Sequence, residues 1–275
     1  MSSPRFEANA AALAALIPDG ASVAVPSDNS GVPMALTLEI IRAGKRGLRM
    51  IGGPTAGIQV DMLIGAGCVA SVEAAGVSLG PRGLAPRFCA AVEGGEIKII
   101  DSTCPATHAG YIAGEKRLPF MAVHGIFGSD VLTHRADWKI ITNPFPPHQP
   151  LVVVPAINPD ISIFHAPLAD EHGNVWVGKR RELKSMARAA GKVLVTVDKI
   201  VPEDLAGNAE LAPGLLASHY IDRIALAAGG AWPTALPPVH PEDGAELDAY
   251  AAAAQTREGF DRYLHRALTP RGPAQ

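Results

Sequence analysis

The stretch LVVVPAINPDISIFHAPLADEHGNVWVG, residues Leu151–Gly178, carries the most information about the fold of this chain. It contains two short apolar runs rich in β-branched residues, Leu151–Pro155 and Ile161–His165, with the turn-forming triplet Asn158–Asp160 between them. Continuous apolar runs of this length are typical of strands buried on both faces, as in a parallel sheet. The polar segment Ala169–Asn174 then predicts an exit from the sheet at the carboxyl end of a strand. Open α/β sheets bind their ligands at that edge.

The charge of the chain argues against a nucleic-acid partner. Its 275 residues carry a formal net charge of −3, so no basic excess is available to neutralise phosphates. No apolar stretch approaches the roughly 18 residues that span a bilayer, and the N-terminus lacks the pattern of a signal peptide. We therefore expect no membrane partner. The three cysteines, Cys68, Cys89 and Cys104, are widely spaced and odd in number, which favours a reducing compartment, the cytoplasm.

Strand and helix signals alternate along the chain, which is the pattern of repeated βαβ units. We therefore expect an α/β fold, with an open, mostly parallel sheet flanked by helices and a helix at the C-terminus. No long linker or internal repeat interrupts the pattern, so we expect one domain over residues 1–275.

Two amphipathic helices are predicted at the ends of the chain. Apolar residues on one helical face predict a helix over residues 4–17. A second helix is predicted over residues 242–268. Its two apolar sets begin at Leu247 and Phe260, which are 13 residues apart and therefore out of phase. This helix is expected to bend near Gly259 or to contact two different surfaces.

Two glycine motifs have the spacing of enzyme signatures. Gly65–Ala70 fits G-x-G-x-x-A, but here a helix precedes the motif and a strand follows, so a helix end is the better interpretation. Gly76–Gly80 fits the G-x-S-x-G pattern of serine hydrolases around Ser78, yet Pro81 and Gly83 oppose the helix that must follow. We interpret it as a glycine-rich loop that could line a pocket, with a serine nucleophile as the alternative. The histidines show no metal-binding spacing, so no metal site is expected.

Other polar loops follow predicted strands. Asp101, Ser102 and Thr103 stand between a strand and a helix, where a hydroxyl could cap the helix or contact an anion. A further loop contains Gly128 and Ser129, and its spacing fits a pocket wall and a plain turn equally well.

A set of short motifs runs through most of the chain in a fixed order. Its members are Glu39–Arg42, Asp61–Gly67, Pro86–Phe88, Ala91–Gly95, Leu118–Phe120, Gly125–Asp130, Val154–Ala156 and Ala166–Asn174. Each is weak alone, but their order and spacing resemble the α-type subunit of class I CoA-transferases, most closely that of glutaconate CoA-transferase. The C-terminal part, including Ala228–Ala231, is also similar to the α subunits of steroid-ring-opening hydrolases of the same superfamily.

The resemblance implies a fold of the NagB/RpiA/CoA-transferase type and a β-type partner subunit. In such enzymes a glutamate of the β-type half attacks the acyl-CoA, which gives an acyl-glutamyl anhydride and then a glutamyl-CoA thioester. Glu93 and Glu171 precede glycines in a similar setting, but both lie inside α-type motifs, so we expect the nucleophile in the partner. CoA is expected as a substrate, with no tightly bound cofactor.

The implied function is transfer of CoA between an acyl-CoA and a carboxylic acid, with this chain forming one wall of the site. Strand-end position makes seven residues candidates for contacts to the acid: Ser27, Asn29, Ser78, Ser102, Thr103, Gly128 and Ser129. If the chain does hold a catalytic residue, the candidates are Asp101, Ser102 and Thr103. A ring-opening acyl-CoA hydrolase and a non-catalytic acid-binding protein stay open as alternatives.

Two departures from the family bear on these alternatives. The segment Val25–Gly31 is more polar than the glycine-rich turn of the transferases, which would change the acid that is bound. No glutamate stands at Asp101–Thr103, where the hydrolases carry a functional one, and this weakens the hydrolase alternative.

Overall fold

The structure, a computed structural model, describes residues 5–269. Within these residues the main sheet has ten strands. They are β1 (Phe6–Glu7), β2 (Ser22–Pro26), β3 (Leu48–Gly53), β4 (Val69–Ala74), β5 (Lys98–Asp101), β9 (Ile161–Asp170), β10 (Val175–Trp176), β11 (Lys192–Val201), β12 (Leu215–Leu216) and β13 (Arg223–Leu226). A second sheet has three: β6 (Phe120–Val123), β7 (Lys139–Thr142) and β8 (Pro150–Pro155).

Helices cover both faces of the main sheet. Their bounds are α1 (Ala10–Ala15), α2 (Met34–Arg42), α3 (Ile58–Gly65), α4 (Pro86–Glu93), α5 (Cys104–Glu115), α6 (Val131–His134), α7 (Arg181–Ala189), α8 (Gly244–Ala253) and α9 (Arg257–Leu268). Successive residues of β2 enter different cores: Val23 and Val25 pack in one cluster and Ala24 in the other. Burial on both faces explains why the central strands are apolar without alternation.

The strand order of the main sheet is β1-β13-β11-β9-β2-β3-β4-β5, and every pairing along this path is parallel. From β2 the chain adds β3, β4 and β5 on one side, whereas β9, β11 and β13 lie on the other. The order therefore reverses between β2 and β9. Loops at the carboxyl ends of strands form a crevice at such a reversal. The predicted open, mostly parallel sheet is confirmed.

The placement of Leu151–Pro155 in the parallel sheet was wrong. These residues belong to β8, which is the central strand of the small sheet and pairs antiparallel with both β6 and β7. Val152 and Val154 are buried against α5 through Ala106 and Ala109. A short apolar run indicates a buried strand, but it does not indicate the sheet to which that strand belongs.

The polar stretch after β9 is structural. β9 continues through Asp170, so the loop begins later than its sequence suggests. Asp170 is fully buried, and its carboxylate accepts hydrogen bonds from the Asn174 backbone and side chain, at 2.9 and 2.8 Å, and from Leu205 N at 3.1 Å. The carboxylate therefore holds the turn into β10. It is not a group held free for a ligand.

Both terminal helices differ from expectation. Pro4 lies outside the described residues, Phe6 pairs with β13 as part of β1, and α1 starts only at Ala10. Asn9 sets that start because its Oδ1 accepts a hydrogen bond from Ala12 N at 3.0 Å.

The segment predicted as one helix over residues 242–268 forms two. The chain breaks between α8 and α9, where Thr256 Oγ1 caps α9 by accepting from Gly259 N at 3.0 Å. The out-of-phase apolar sets are thereby placed on separate helices. Tyr250 and Phe260 are both fully buried in the core beside α3.

Candidate functional site

A polar cavity of about 310 Å³ opens at the carboxyl ends of β2, β3 and β4. Because these strands are parallel neighbours, their three following loops meet at one edge of the sheet. The C-terminal segment before and within α8 closes the far wall. The lining residues are Ser27, Asp28, Asn29, Thr55, Ala56, Ile58, Gly76, Ser78, Leu79, Gly80, Pro81, Arg82, Thr234, Glu242, Leu247 and Tyr250.

The loop after β2 is tied to the loop after β3. Ser27 Oγ lies 3.0 Å from Gly53 O, 3.2 Å from Thr55 O and 3.0 Å from Thr55 Oγ1. Asn29 is exposed in a left-handed conformation, with φ of 64°, which asparagine adopts more readily than most residues. The two residues therefore form a fixed polar rim on the cavity.

Asp28 lies between Ser27 and Asn29 in the sequence, and its carboxylate contacts the N-terminus of α3. Its Oδ2 accepts a hydrogen bond from Ile58 N at 3.3 Å, and a Cβ at position 57 would collide with the carboxylate, so only Gly57 fits there. Its Oδ1 is shut off from solvent and has no hydrogen-bond partner among the described residues. Burial raises the pKa of Asp28 to about 6, and the nearby Glu242 carboxylate adds to the rise. The carboxyl group is therefore poised to exchange a proton near neutral pH.

The loop after β4 carries Ser78 into the cavity without forming a nucleophile elbow. β4 ends at Ala74, and Ser78 N instead donates to Ala56 O at 3.0 Å. Ser78 Oγ accepts from Gly80 N at 2.9 Å, and the next element is a single 3₁₀ turn, not an α-helix. The hydrolase elbow needs a strand-to-helix turn at the serine, so this geometry does not support a serine nucleophile.

Arg82 fastens the C-terminal segment to the cavity. Its Nη2 lies 3.0 Å from Glu242 Oε1 and its Nε lies 2.6 Å from Asp248 Oδ1. Two carboxylates thus neutralise this one cation, and Asp28 adds a third acidic group nearby. The cavity therefore favours ligands bound through hydroxyl and amide hydrogen bonds over ligands that need a free cation.

The Asp101–Thr103 segment lies at a second cavity of about 220 Å³, which Ser102 lines together with Glu73 and Arg135. Ser102 Oγ is 2.8 Å from Thr107 Oγ1, and Thr103 caps α5 by accepting from Ala106 N at 3.3 Å. Thr103 thus serves as the predicted helix cap.

Arg135 organises this second cavity. It is 5 % exposed and lies 2.9 Å from Glu73, while its Nη1 donates to Asp101 O at 2.8 Å. Burial raises the pKa of Glu73. Arg135 reaches Asp101 through the backbone carbonyl, and the exposed Asp101 carboxylate makes no hydrogen bond or ion pair within residues 5–269, so it is not drawn into the cluster.

The loop with Gly128 and Ser129 precedes α6. Gly128 has a positive φ of 76°, and Ser129 Oγ accepts from Val131 N at 3.3 Å. Neither residue lines the two cavities. Of the seven predicted contacts, Ser27, Asn29 and Ser78 are therefore brought together, Ser102 lines another cavity, and the other three line neither. The seven residues therefore do not line one cavity of this chain, and their contacts to the acid stay a prediction.

Sequence reasoning missed Asp28, Thr55, Arg82 and Glu242. Asp28 stands between two predicted residues and follows a strand, so the same strand-end argument could have found it. Arg82 and Glu242 meet across 160 residues of chain, and no local pattern signals that contact.

A buried histidine at the order reversal was also missed. His165 on β9 is fully buried, with its Nδ1 2.8 Å from Thr196 Oγ1 and its Nε2 3.1 Å from Asp198 Oδ1. Asp198 Oδ1 also accepts from Gly229 N at 2.7 Å. Both ring nitrogens are engaged, so His165 joins β9, β11 and the loop after β13 as a structural link.

Within residues 5–269, no three side chains of His, Cys, Asp or Glu are grouped so that they could hold a metal ion. In the same part of the chain, no helix is both long and apolar enough to cross a membrane. The three cysteines are free.

Comparison with known proteins identifies the family to which this chain belongs. The family model described as coenzyme A transferase matches residues 6–224. The chain therefore belongs to the coenzyme A transferase family.

Proteins with similar sequences support the assignment to this family. The A subunit of 3-oxoadipate CoA-transferase from Pseudomonas knackmussii is 31% identical over 90% of this chain and 87% of the relative. The IpdA subunit of a cholesterol ring-cleaving hydrolase from Mycobacterium tuberculosis is 29% identical over 86% of this chain and 84% of the relative. A protein from Archaeoglobus fulgidus is 34% identical over 86% of this chain, which spans only 52% of that longer relative.

Solved structures share the fold. Glutaconate coenzyme A-transferase from Acidaminococcus fermentans superposes with a TM-score of 0.88, covering 96% of this chain and 88% of that chain at 24% identity. A variant of the decarboxylase AibA/AibB superposes with a TM-score of 0.84, covering 98% of this chain and 100% of that chain at 29% identity.

Proposed function

We propose that this chain is the A subunit of a two-subunit CoA-transferase that moves CoA between an acyl-CoA and a carboxylic acid. The observation that carries the proposal is the likeness to the A subunit of 3-oxoadipate CoA-transferase over nearly the full length of both chains. The polar cavity at the ends of β2, β3 and β4 supports it, because a transferase subunit must offer the acid a shaped and hydrogen-bonding wall.

The nucleophile in this proposal is a glutamate of the partner subunit. Its carboxylate attacks the thioester carbonyl, which expels the CoA thiolate and leaves an acyl-glutamyl anhydride. The thiolate then attacks the glutamyl carbonyl, so the first acid departs as a carboxylate and a glutamyl-CoA thioester remains. The second acid reverses both steps. The energy of the thioester is conserved throughout, since no water takes part.

In this proposal the chain binds and orients the acid. Ser27, Asn29 and Ser78 are the residues placed to hydrogen-bond it, while Arg82 holds the cavity wall in place through Glu242 and Asp248. Closing the cavity with the partner would exclude water and so favour transfer over hydrolysis.

The test is CoA exchange by the protein purified with its partner. Formation of new acyl-CoA would be followed with acetate, succinate, glutaconate and 3-oxoadipate as acceptors. Ser78→Ala should raise the KM for the acid about tenfold, the usual effect of one lost hydrogen bond. Thr142→Ala, at an exposed position outside both cavities, should leave this KM unchanged. Absence of exchange with every acceptor would reject the transferase.

A second candidate is a ring-opening acyl-CoA hydrolase. The likeness to the IpdA subunit of a cholesterol ring-cleaving hydrolase favours it. Water would then replace the acceptor acid. Release of ring-opened product that does not depend on an added acid would favour this candidate.

We also propose that residues 1–275 act as one domain in the reducing cytoplasm, in agreement with the three free thiols.

A further inference from the structure

The cavity at the carboxyl ends of β2, β3 and β4, here the first cavity, holds more negative than positive charge. Among the described residues that line it, Asp28 and Glu242 carry carboxylates and Arg82 carries the only cation. That cation is already paired, because its Nη2 lies 3.0 Å from Glu242 Oε1 and its Nε lies 2.6 Å from Asp248 Oδ1. A negatively charged group that enters the cavity therefore meets no free cation.

The two carboxylates of the lining also act on each other. Burial raises the pKa of Asp28 to about 6, and the Glu242 carboxylate adds to the rise by repulsion. Arg82 opposes this repulsion, but its effect on Asp28 is smaller than that of Glu242. At a pH well above 6 Asp28 is ionised, so a third carboxylate brought close to this pair would be repelled by both.

Neutral hydrogen-bonding groups of the cavity, by contrast, are free to bind. Ser78 Oγ accepts from Gly80 N, and its hydroxyl proton has no acceptor within residues 5–269. The exposed side-chain amide of Asn29 makes no hydrogen bond in the same part of the chain. Glu242 contacts Arg82 through Oε1, which leaves its Oε2 able to accept an N–H or O–H from a ligand.

These groups distinguish between two kinds of polar tail. A carboxylate only accepts hydrogen bonds, so it can use Ser78 and Asn29 but gains nothing from Glu242 and is repelled by it. An amide or a hydroxyl is uncharged and both donates and accepts, so it can bond to all three residues. The cavity therefore favours a neutral tail for two separate reasons, its charge and its donor.

The size of the cavity limits the length of that tail. Its volume of about 310 Å³ lies at the lower end of the range for small-molecule sites, which is roughly 300–1,000 Å³. Ile58, Leu79 and Leu247 supply apolar wall between the polar groups, against which a few methylene groups can pack.

We propose that the first cavity selects a short monocarboxylic acid whose far end is an amide or a hydroxyl, and that Asp28 and Glu242 exclude a second carboxylate from it. The reacting carboxylate then lies at the mouth of the cavity and the neutral end lies inside. The naming of the ligand as an acid rests on the proposed function, whereas the exclusion of a charged tail follows from the cavity alone.

The test compares glutarate with its monoamide, two acids of nearly the same shape that differ in the charge and the donor at one end. Their affinities are measured by isothermal titration without CoA, on the protein purified with its partner, or alone if none co-purifies. The unaltered protein should bind the monoamide at least about tenfold more tightly, since one added like charge in a partly buried site costs at least that factor.

Two variants test whether the named carboxylates cause this preference. Glu242→Gln keeps an oxygen that accepts from Arg82 and removes one charge, so it should reduce the preference by about threefold or more through tighter binding of glutarate. Asp28→Asn keeps the oxygen that accepts from Ile58 N and should act in the same direction. Glu203→Gln removes an exposed carboxylate that does not line the cavity and should leave the preference unchanged.

Equal or tighter binding of glutarate by the unaltered protein would overturn the proposal, as would absence of binding of the monoamide at millimolar concentration. A preference that both cavity variants retain in full would also overturn it. Because the titration needs no catalysis, the two proposals fail separately. Selective binding of the monoamide without any CoA exchange would reject the transferase and keep the selection. CoA exchange with glutarate as efficient as with the monoamide would keep the transferase and reject the selection.

Discussion

Replacing Asp28 by asparagine should remove a pH-dependent loss of stability. The folded chain holds the Asp28 proton until about pH 6, whereas the unfolded chain releases it near the ordinary value of 3.8. Between these values the folded state binds more protons than the unfolded state, so the free energy of unfolding falls as pH rises. The contribution of Asp28 is fully present below about pH 4 and is lost by about pH 7.

The magnitude follows from the shift in pKa. A rise from 3.8 to about 6 is roughly two units, which corresponds to about 3 kcal/mol once the carboxylate is charged. Asparagine keeps the size of the side chain and the oxygen that accepts from Ile58 N. Asp28→Asn should therefore match the unaltered chain at low pH and exceed it by up to about 3 kcal/mol near pH 7.

Urea unfolding at several pH values between about 4 and 7.5 measures this difference directly. Asp101→Asn is the matched control, because Asp101 is exposed and its substitution should not change the pH profile. If Asp28→Asn and the unaltered chain have parallel profiles, the carboxylate is not held in an unfavourable environment. The assignment of Asp28 as a proton-exchanging group of the cavity would then be wrong.

Two further substitutions test the supports of the cavity. Tyr250→Phe should cost about 1–3 kcal/mol of unfolding free energy, because buried Asp61 loses the hydroxyl that lies 2.7 Å from its Oδ2. Burial raises the pKa of Asp61, and the hydrogen bond from Tyr250 lowers it, so the substitution should raise this pKa further. The loss of unfolding free energy, measured by urea unfolding, should therefore grow as pH rises and Asp61 becomes charged. A loss that is the same at every pH would contradict this. Gly31→Ala should lower the melting temperature more than Gly20→Ala. Both glycines have positive φ, but only at Gly31 would a Cβ meet the His165 carbonyl, and equal losses would refute that packing.

Local sequence determined the class of fold and the kinds of element. Apolar runs such as Ile161–His165 predicted strands buried on both faces, since β-branched residues without alternation have no solvent side to present. A hydroxyl of Ser102 or Thr103 before a helix was one candidate for its cap, and the structure shows that Thr103 satisfies the free backbone N–H. Strand-end position also selected Ser27, Asn29 and Ser78, which the structure places at one cavity. These signals act over a few residues and can be read directly.

Tertiary structure alone decided which strands are neighbours and which side chains meet. Two apolar runs look alike in sequence but lie in different sheets: Leu151–Pro155 in the small sheet and Ile161–His165 in the main sheet. The first run packs against α5, and this contact belongs to the tertiary structure. The cavity is completed by Arg82 and Glu242, which are 160 residues apart. Such contacts depend on the order of strands and the path of the C-terminal helices. Their free energy comes from the assembled core, so no periodicity or motif within either segment encodes it.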